Sequence, residues 1–173
     1  MKIVSFIAML CAAFVLSAAE TAIWDGTQAS VNTSNKATTA TAADGVLTLS
    51  GKSSDTARYS YQDCRIAIAP TAVKGKKLAI TIEPATVIAS DTFYIKGIAA
   101  GNKVVFSYGL SLKKAEKQTY TLNLVEENDP FILHKHQINA EADAPITALH
   151  IFMGRREKSS DMKLTVSDIK LID

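Results

Sequence analysis

Apolar residues in this chain recur at every second position. Leu47 and Leu49, Ile66 and Ile68, Leu78-Ile80-Ile82, Phe93 and Ile95, Val104-Phe106-Tyr108, Tyr120-Leu122-Leu124, Leu149-Ile151-Met153, and Leu164 and Val166 each alternate with polar or small residues. That period is the signature of strands with one buried face. Side chains two apart share a sheet face, so all these sets can point into one core. Turn residues fall between the runs, at Asp44-Gly45, Lys74-Gly75-Lys76, Ala100-Gly101-Asn102, Asn128-Asp129-Pro130 and Ala144-Pro145, where Gly, Asn and Asp supply positive φ and Pro a fixed one. With a short first strand around Trp24, the pattern predicts about nine strands and almost no helix. So many short strands in one domain predict an all-β fold, a two-sheet antiparallel β-sandwich of the jelly-roll type. The segment from Gln28 to Ala43, rich in Ser, Thr, Asn and Ala, reads as a loop or a weak edge strand. Lys113, Lys114 and Lys117 around Glu116 read as a solvated hairpin connection.

The first nineteen residues break the alternation. Met1-Lys2, the apolar run from Ile3 to Leu16 and the small residues Ser17-Ala18-Ala19 have the parts of a secretory signal peptide. The run is shorter than the roughly 20 residues that span a bilayer, so cleavage is expected rather than a membrane span. A cut after Ala19 places small residues at both critical positions, Ser17 and Ala19. Cys11 lies inside the apolar core behind Met9 and Leu10, which argues against a lipid-modified cysteine. The expected organisation is a signal peptide over 1–19 and one β-sandwich domain over 20–173, secreted or periplasmic.

Removing 19 of the 173 residues leaves 154, enough for one core without a staple. Only Cys64 then remains, so no internal disulfide forms even in an oxidising compartment. Cys64 reads as a small buried apolar residue. The whole chain carries 19 basic and 17 acidic residues. That balance gives no electrostatic footprint for nucleic acid.

The strands that carry a family likeness are Trp24-Asp25-Gly26, Thr92 to Gly97, Lys103 to Tyr108, Gln118 to Leu122, and the closing run Leu164 to Leu171 with its Asp168-Ile169 pair. On these the chain resembles the jelly-roll carbohydrate-binding modules and related galactose-binding-like sandwiches attached to secreted glycoside hydrolases. The resemblance implies noncatalytic recognition of a polysaccharide or glycan on a sheet face or loop rim. It also implies, as the one cofactor, a structural calcium ion near the chain ends, with Asp25 and Asp168 in matching positions.

Sugar C–H patches stack on aromatic rings, while the hydroxyls need a few fixed polar groups. Phe93, Phe106, Tyr108 and Tyr120 are in phase with Ile and Leu neighbours and are expected in the core. Tyr94 and Lys96 lie on the opposite side of their strand from Phe93 and Ile95. His150 and Phe152 likewise lie opposite Leu149, Ile151 and Met153. These four are the candidate ligand-binding residues, set against the plain reading of a solvated sheet face. Tyr59 and Tyr61 share a face and are expected to pack inward. Trp24, the only tryptophan, is expected to pin the first strand to the core.

His134 and His136 could face one side of a strand and, with His150, hold zinc, but no acidic-histidine motif accompanies them. They are read as solvated or groove-lining. No nucleophile beside a base is legible, and Glu126-Glu127-Asn128-Asp129 reads as a turn, so no catalytic residue is assigned. The rival to glycan binding is a structural or protein-binding sandwich of the cell envelope. A protein partner fits that reading, and aromatics converging on one exposed face would separate the two.

Overall fold

The computed structural model describes residues 18–26, 31–32, 38–54, 60–124, 144–156 and 160–173. Expectations for Tyr59, His134, His136, Glu126 to Asp129 and most of the leader lie outside these residues.

Eleven strands occur among the described residues: β1 (Glu20–Ala22), β2 (Val31–Asn32), β3 (Thr39–Ala43), β4 (Val46–Lys52), β5 (Ser60–Thr71), β6 (Lys77–Pro84), β7 (Thr92–Ala99), β8 (Val104–Ser111), β9 (Gln118–Asn123), β10 (Ile146–Arg155) and β11 (Asp161–Ile172). Every apolar set named above falls in or beside one of them. The two strands beyond nine, β2 and β3, come from the polar Gln28 to Ala43 segment and lie at sheet edges. Little apolar surface suffices there, because one neighbour supplies the ladder.

One sheet has the order β3-β4-β11-β6-β9, with β1 beside β11. The other has the order β2-β5-β10-β7-β8. All pairings are antiparallel. From β4 onward the chain crosses between the sheets at almost every connection, only β7 and β8 being joined as neighbours. The result is a two-sheet antiparallel β-sandwich of jelly-roll character. Lys113 to Lys117 are exposed, and Lys114 Nζ lies 3.2 Å from Glu116 Oε1. The expected hairpin is corrected, however: this segment carries the chain from β8 in one sheet to β9 in the other.

The core lies between the sheets. Leu47, Leu49, Leu78, Ile80, Ile82, Leu122, Leu164 and Val166 meet Ile66, Phe93, Ile95, Phe106, Tyr108, Leu149, Ile151 and Met153, all buried. Trp24 is 6% exposed and joins this cluster. Its indole N–H has no partner among the described residues, so it anchors by apolar area. Tyr120 departs from expectation. It is half-buried at the margin of the core and donates to the Gln118 side chain, because β9 is an edge strand.

Two sequence marks of the family likeness have backbone explanations. Gly26, at φ 80°, packs its α-carbon against the Gly45 backbone so tightly that a Cβ would collide. Asp168, at φ 50°, sits in a bulge: Ser167 pairs with Thr81 and Lys170 with Ala79, so β11 carries one extra residue. Asp enters the left-handed region more readily than most residues. The bulge re-phases the strand, turning Ile169 and Leu171 into the core after Val166.

A buried ion pair closes one end of the sandwich. Arg155, 2% exposed, donates from Nε to Asp91 Oδ1 at 2.7 Å and from Nη2 to Oδ2 at 2.6 Å. Its Nη1 donates to the Asp161 carbonyl at 2.8 Å, and the Ile88 N–H donates to Asp91 Oδ2 at 3.0 Å. The pair thus ties the β6–β7 and β10–β11 connections together. Arg155→Met leaves the Asp91 carboxylate buried without its partner. The expected loss is about 3–5 kcal/mol, measured as the shift of the urea unfolding midpoint at unchanged slope.

Cys64 is fully buried and unpaired. Burial, helped by the charge of Asp63, pushes its thiol up to about 12. Native protein is expected to resist alkylation near pH 8.5, and denatured protein to react within minutes. The thiol is protonated in the folded chain and ionises near about 8.5 in the unfolded one. Its contribution is therefore complete below that pH and falls as pH rises toward 12. A Cys64→Ala variant should lose less stability than the native protein over this range.

Candidate functional site

The outer face of the β2-β5-β10-β7-β8 sheet collects the aromatic and cationic side chains. On β10, burial of Leu149, Ile151 and Met153 turns His150 and Phe152 outward. On β7, burial of Phe93 and Ile95 turns Tyr94 and Lys96 outward. The antiparallel register sets Phe152 opposite Tyr94 and His150 opposite Lys96. All four residues singled out from the sequence therefore stand together, each half-buried.

Phe152 is the hub. Its ring stacks on Tyr94 at 4.6 Å between centroids and 13° between planes. Lys96 Nζ lies 5.3 Å from its centroid, within cation–π range. The His150 ring is 5.4 Å away, and Tyr61 meets Phe152 edge-on at 6.3 Å. Beyond Tyr94 the neighbouring strand presents Gly109, where a Cβ would sit 2.6 Å from Tyr94 Cε1. The missing side chain leaves room for the ring to lie across β8.

Tyr61 corrects an expectation. It is 44% exposed and outward, while Gln62 is buried. Gln62 is satisfied in the core by the Thr38 hydroxyl donating to Oε1 at 2.9 Å and by its own Nε2 donating to the Lys52 carbonyl at 3.1 Å. The signal was present in the chain: Cys64, Ile66 and Ile68 fix even positions inward on β5, and that parity carries back to put Tyr61 outside.

Three further residues carried no sequence signal. Asp63, 1% exposed, lies on this face beneath His150, its Oδ2 3.0 Å from Nε2. It fixes the imidazole orientation, since a ring nitrogen held by a carboxylate leaves one rotamer favoured. Arg65 donates from Nη1 to Asn102 Oδ1 at 2.7 Å. Gly109 makes space for Tyr94. Each depends on a partner 15 to 87 positions away, which a linear pattern does not announce.

The metal expectation finds no donor set. Asp25 and Asp168 are both exposed, and Asp168 Oδ2 accepts from Ser167 Oγ at 3.3 Å. No group of three or more His, Cys, Asp or Glu comes together among the described residues. A calcium ion there would draw most of its about six to eight oxygens from elsewhere. The bulge accounts for the backbone conformation of Asp168, and the Gly26–Gly45 contact for the glycine that follows Asp25.

No protein-family profile and no curated protein matches the chain. Solved structures do. The agarase AgWH50C shares the fold with a TM-score of 0.60 at 12% identity, over 89% of this chain and 24% of that one. The family 11 carbohydrate-binding module of the cellulosomal cellulase Lic26A-Cel5E of Clostridium thermocellum superposes with a TM-score of 0.54 at 13% identity, over 90% of this chain and 95% of that one. A family 29 carbohydrate-binding module does so with a TM-score of 0.50 at 12% identity, over 88% and 90%. The chain thus spans about a quarter of the agarase and nearly the whole of the two module structures. The structural neighbours include carbohydrate-binding modules, and the shared feature is the β-sandwich.

Two strand glycines, Gly97 on β7 and Gly109 on β8, give a paired prediction. Gly97→Ala drives a methyl into the Phe106 ring in the core, an overpacking expected to cost about 1–3 kcal/mol. Gly109→Ala displaces only the outward Tyr94 ring. It should cost no more than the stack itself, about 0.5–1.5 kcal/mol, while altering the near-ultraviolet tyrosine dichroism.

Proposed function

We propose that this is an exported, noncatalytic carbohydrate-binding protein that captures a polysaccharide or glycan on the outer face of the β2-β5-β10-β7-β8 sheet. The observation that carries the reading is the convergence of Tyr61, Phe152 and Tyr94 with Lys96 and His150 on one exposed face. Three rings on three adjacent strands span about 10 Å, an apolar surface on which sugar rings stack while the flanking polar groups meet hydroxyls. A family 11 module of the same fold is known in complex with a β-1,3-1,4-mixed-linked tetrasaccharide, at a TM-score of 0.53 and 13% identity. That complex supports a sandwich of this architecture as a glycan-binding fold.

Export rests on the leader and the expected cut after Ala19. That cut would leave Glu20, the first residue of β1, paired with Ile172 at the start of the chain. Binding without catalysis rests on the face itself. Asp63 is the only carboxylate in the strands of this sheet, and it is engaged by His150.

The test is retention of the chain beginning at Glu20 on a panel of soluble and insoluble polysaccharides. Selective retention that free sugar competes away is expected. Tyr94→Ala should weaken it by about 1–3 kcal/mol, as for other stacking surfaces, while stability falls by no more than the lost Phe152 stack, about 0.5–1.5 kcal/mol. Absence of retention on every glycan would instead favour an envelope protein that uses this face for protein contact.

A further inference from the structure

The two outer faces of the sandwich differ in charge. The strands of the β1-bearing sheet carry Lys52, Lys77, Lys163 and Lys170 against Glu20, Glu83, Asp161 and Asp168, an even balance. Some of these pair directly, Lys170 Nζ with Glu20 Oε2 at 3.3 Å and Lys52 Nζ with Asp161 Oδ1 at 3.9 Å. The aromatic face has no such balance. Arg65, His150 and Lys96 lie in one row across β5, β10 and β7, aligned by register, and Ser107 of β8 continues it. Among the described residues, the single carboxylate in the strands of this sheet, Asp63, is 1% exposed beneath His150. Lys96 makes no ion pair among the described residues, and its ammonium rests over the Phe152 ring. Arg65 has a neutral partner, Asn102 Oδ1.

This row lies one repeat along the strands from Phe152 and Tyr94, about 7 Å away. A ligand stacked on the rings therefore meets fixed cations along its flank. A neutral sugar presents hydroxyls that donate as well as accept, and a site for it needs acceptors. The charged groups of this face are donors, and its carboxylate is covered. Anionic groups, which only accept, match that inventory. Resting on the glycan-binding reading above, we propose that the ligand is an acidic polysaccharide, carrying carboxylate or sulfate groups along its chain, with Lys96 and Arg65 meeting the anions while Phe152, Tyr94 and Tyr61 stack on the rings.

The test is affinity electrophoresis of the purified protein through gels holding polygalacturonate or alginate, carrageenan or dextran sulfate, agarose or mixed-linkage β-glucan, and poly-glutamate. Retention by a carboxylated or a sulfated polymer, reduced as salt rises toward about 0.2 M, is expected, and the retaining pair identifies the anion. Lys96→Gln and Arg65→Gln should each weaken it about two- to fivefold with unchanged unfolding midpoints, and Tyr94→Ala should weaken it further. Equal retention by agarose or β-glucan, insensitive to Lys96→Gln, overturns the acidic ligand while leaving the glycan face standing. Retention by poly-glutamate that Tyr94→Ala leaves intact overturns both, as does retention by none of the polymers.

Discussion

The phase of β10 is the constraint on which the rest of this structure depends. Leu149, Ile151 and Met153 are buried against the opposing sheet, and β10 is flanked on both sides, by β5 and β7. A one-residue slip would send these three side chains into water and bring His150 and Phe152 into the core. The apolar area at stake, about 2 kcal/mol for each large side chain, holds the register. The same register sets Phe152 against Tyr94 and His150 against both Lys96 and Arg65. The aromatic face is thus a by-product of core burial, positioned by strand register alone.

Rigidity follows from this origin. The rings of the face lie on strand interiors, and Phe152 is braced by Tyr94, His150 and Tyr61. A platform built on paired strands loses little side-chain entropy when a ligand arrives. The buried Arg155–Asp91 pair serves the same end from within. It satisfies a guanidinium and a carboxylate with each other and with backbone groups of two connections, fixing the end of the sandwich where β7 begins and β10 ends.

Charge adds a second level to the same face. The opposite sheet mixes its signs and neutralises them locally, as a solvated surface does. The aromatic sheet keeps its cations and submerges its carboxylate, although the chain as a whole is nearly neutral at +2. Net charge conceals this, because it sums over two faces that the fold separates.

Alternation of apolar residues by itself determined the class of fold, the positions of the main strands and the outward direction of Tyr94, Lys96, His150 and Phe152, because side-chain direction in a strand is a local property of period two. The same rule, carried back from Ile66 and Ile68, would have placed Tyr61 outside and Gln62 inside; a preference for burying tyrosine pairs obscured it. Which strands become neighbours was decided only by the tertiary structure. The Phe152–Tyr94 stack, the Asp63–His150 contact, the room above Gly109 and the Arg155–Asp91 pair all join residues distant in the chain. Strand order in a sandwich is fixed by how two whole sheets pack, and no local pattern encodes it. Likewise the bulge at Asp168 depends on the offset between β11 and β6, which no single strand's sequence contains.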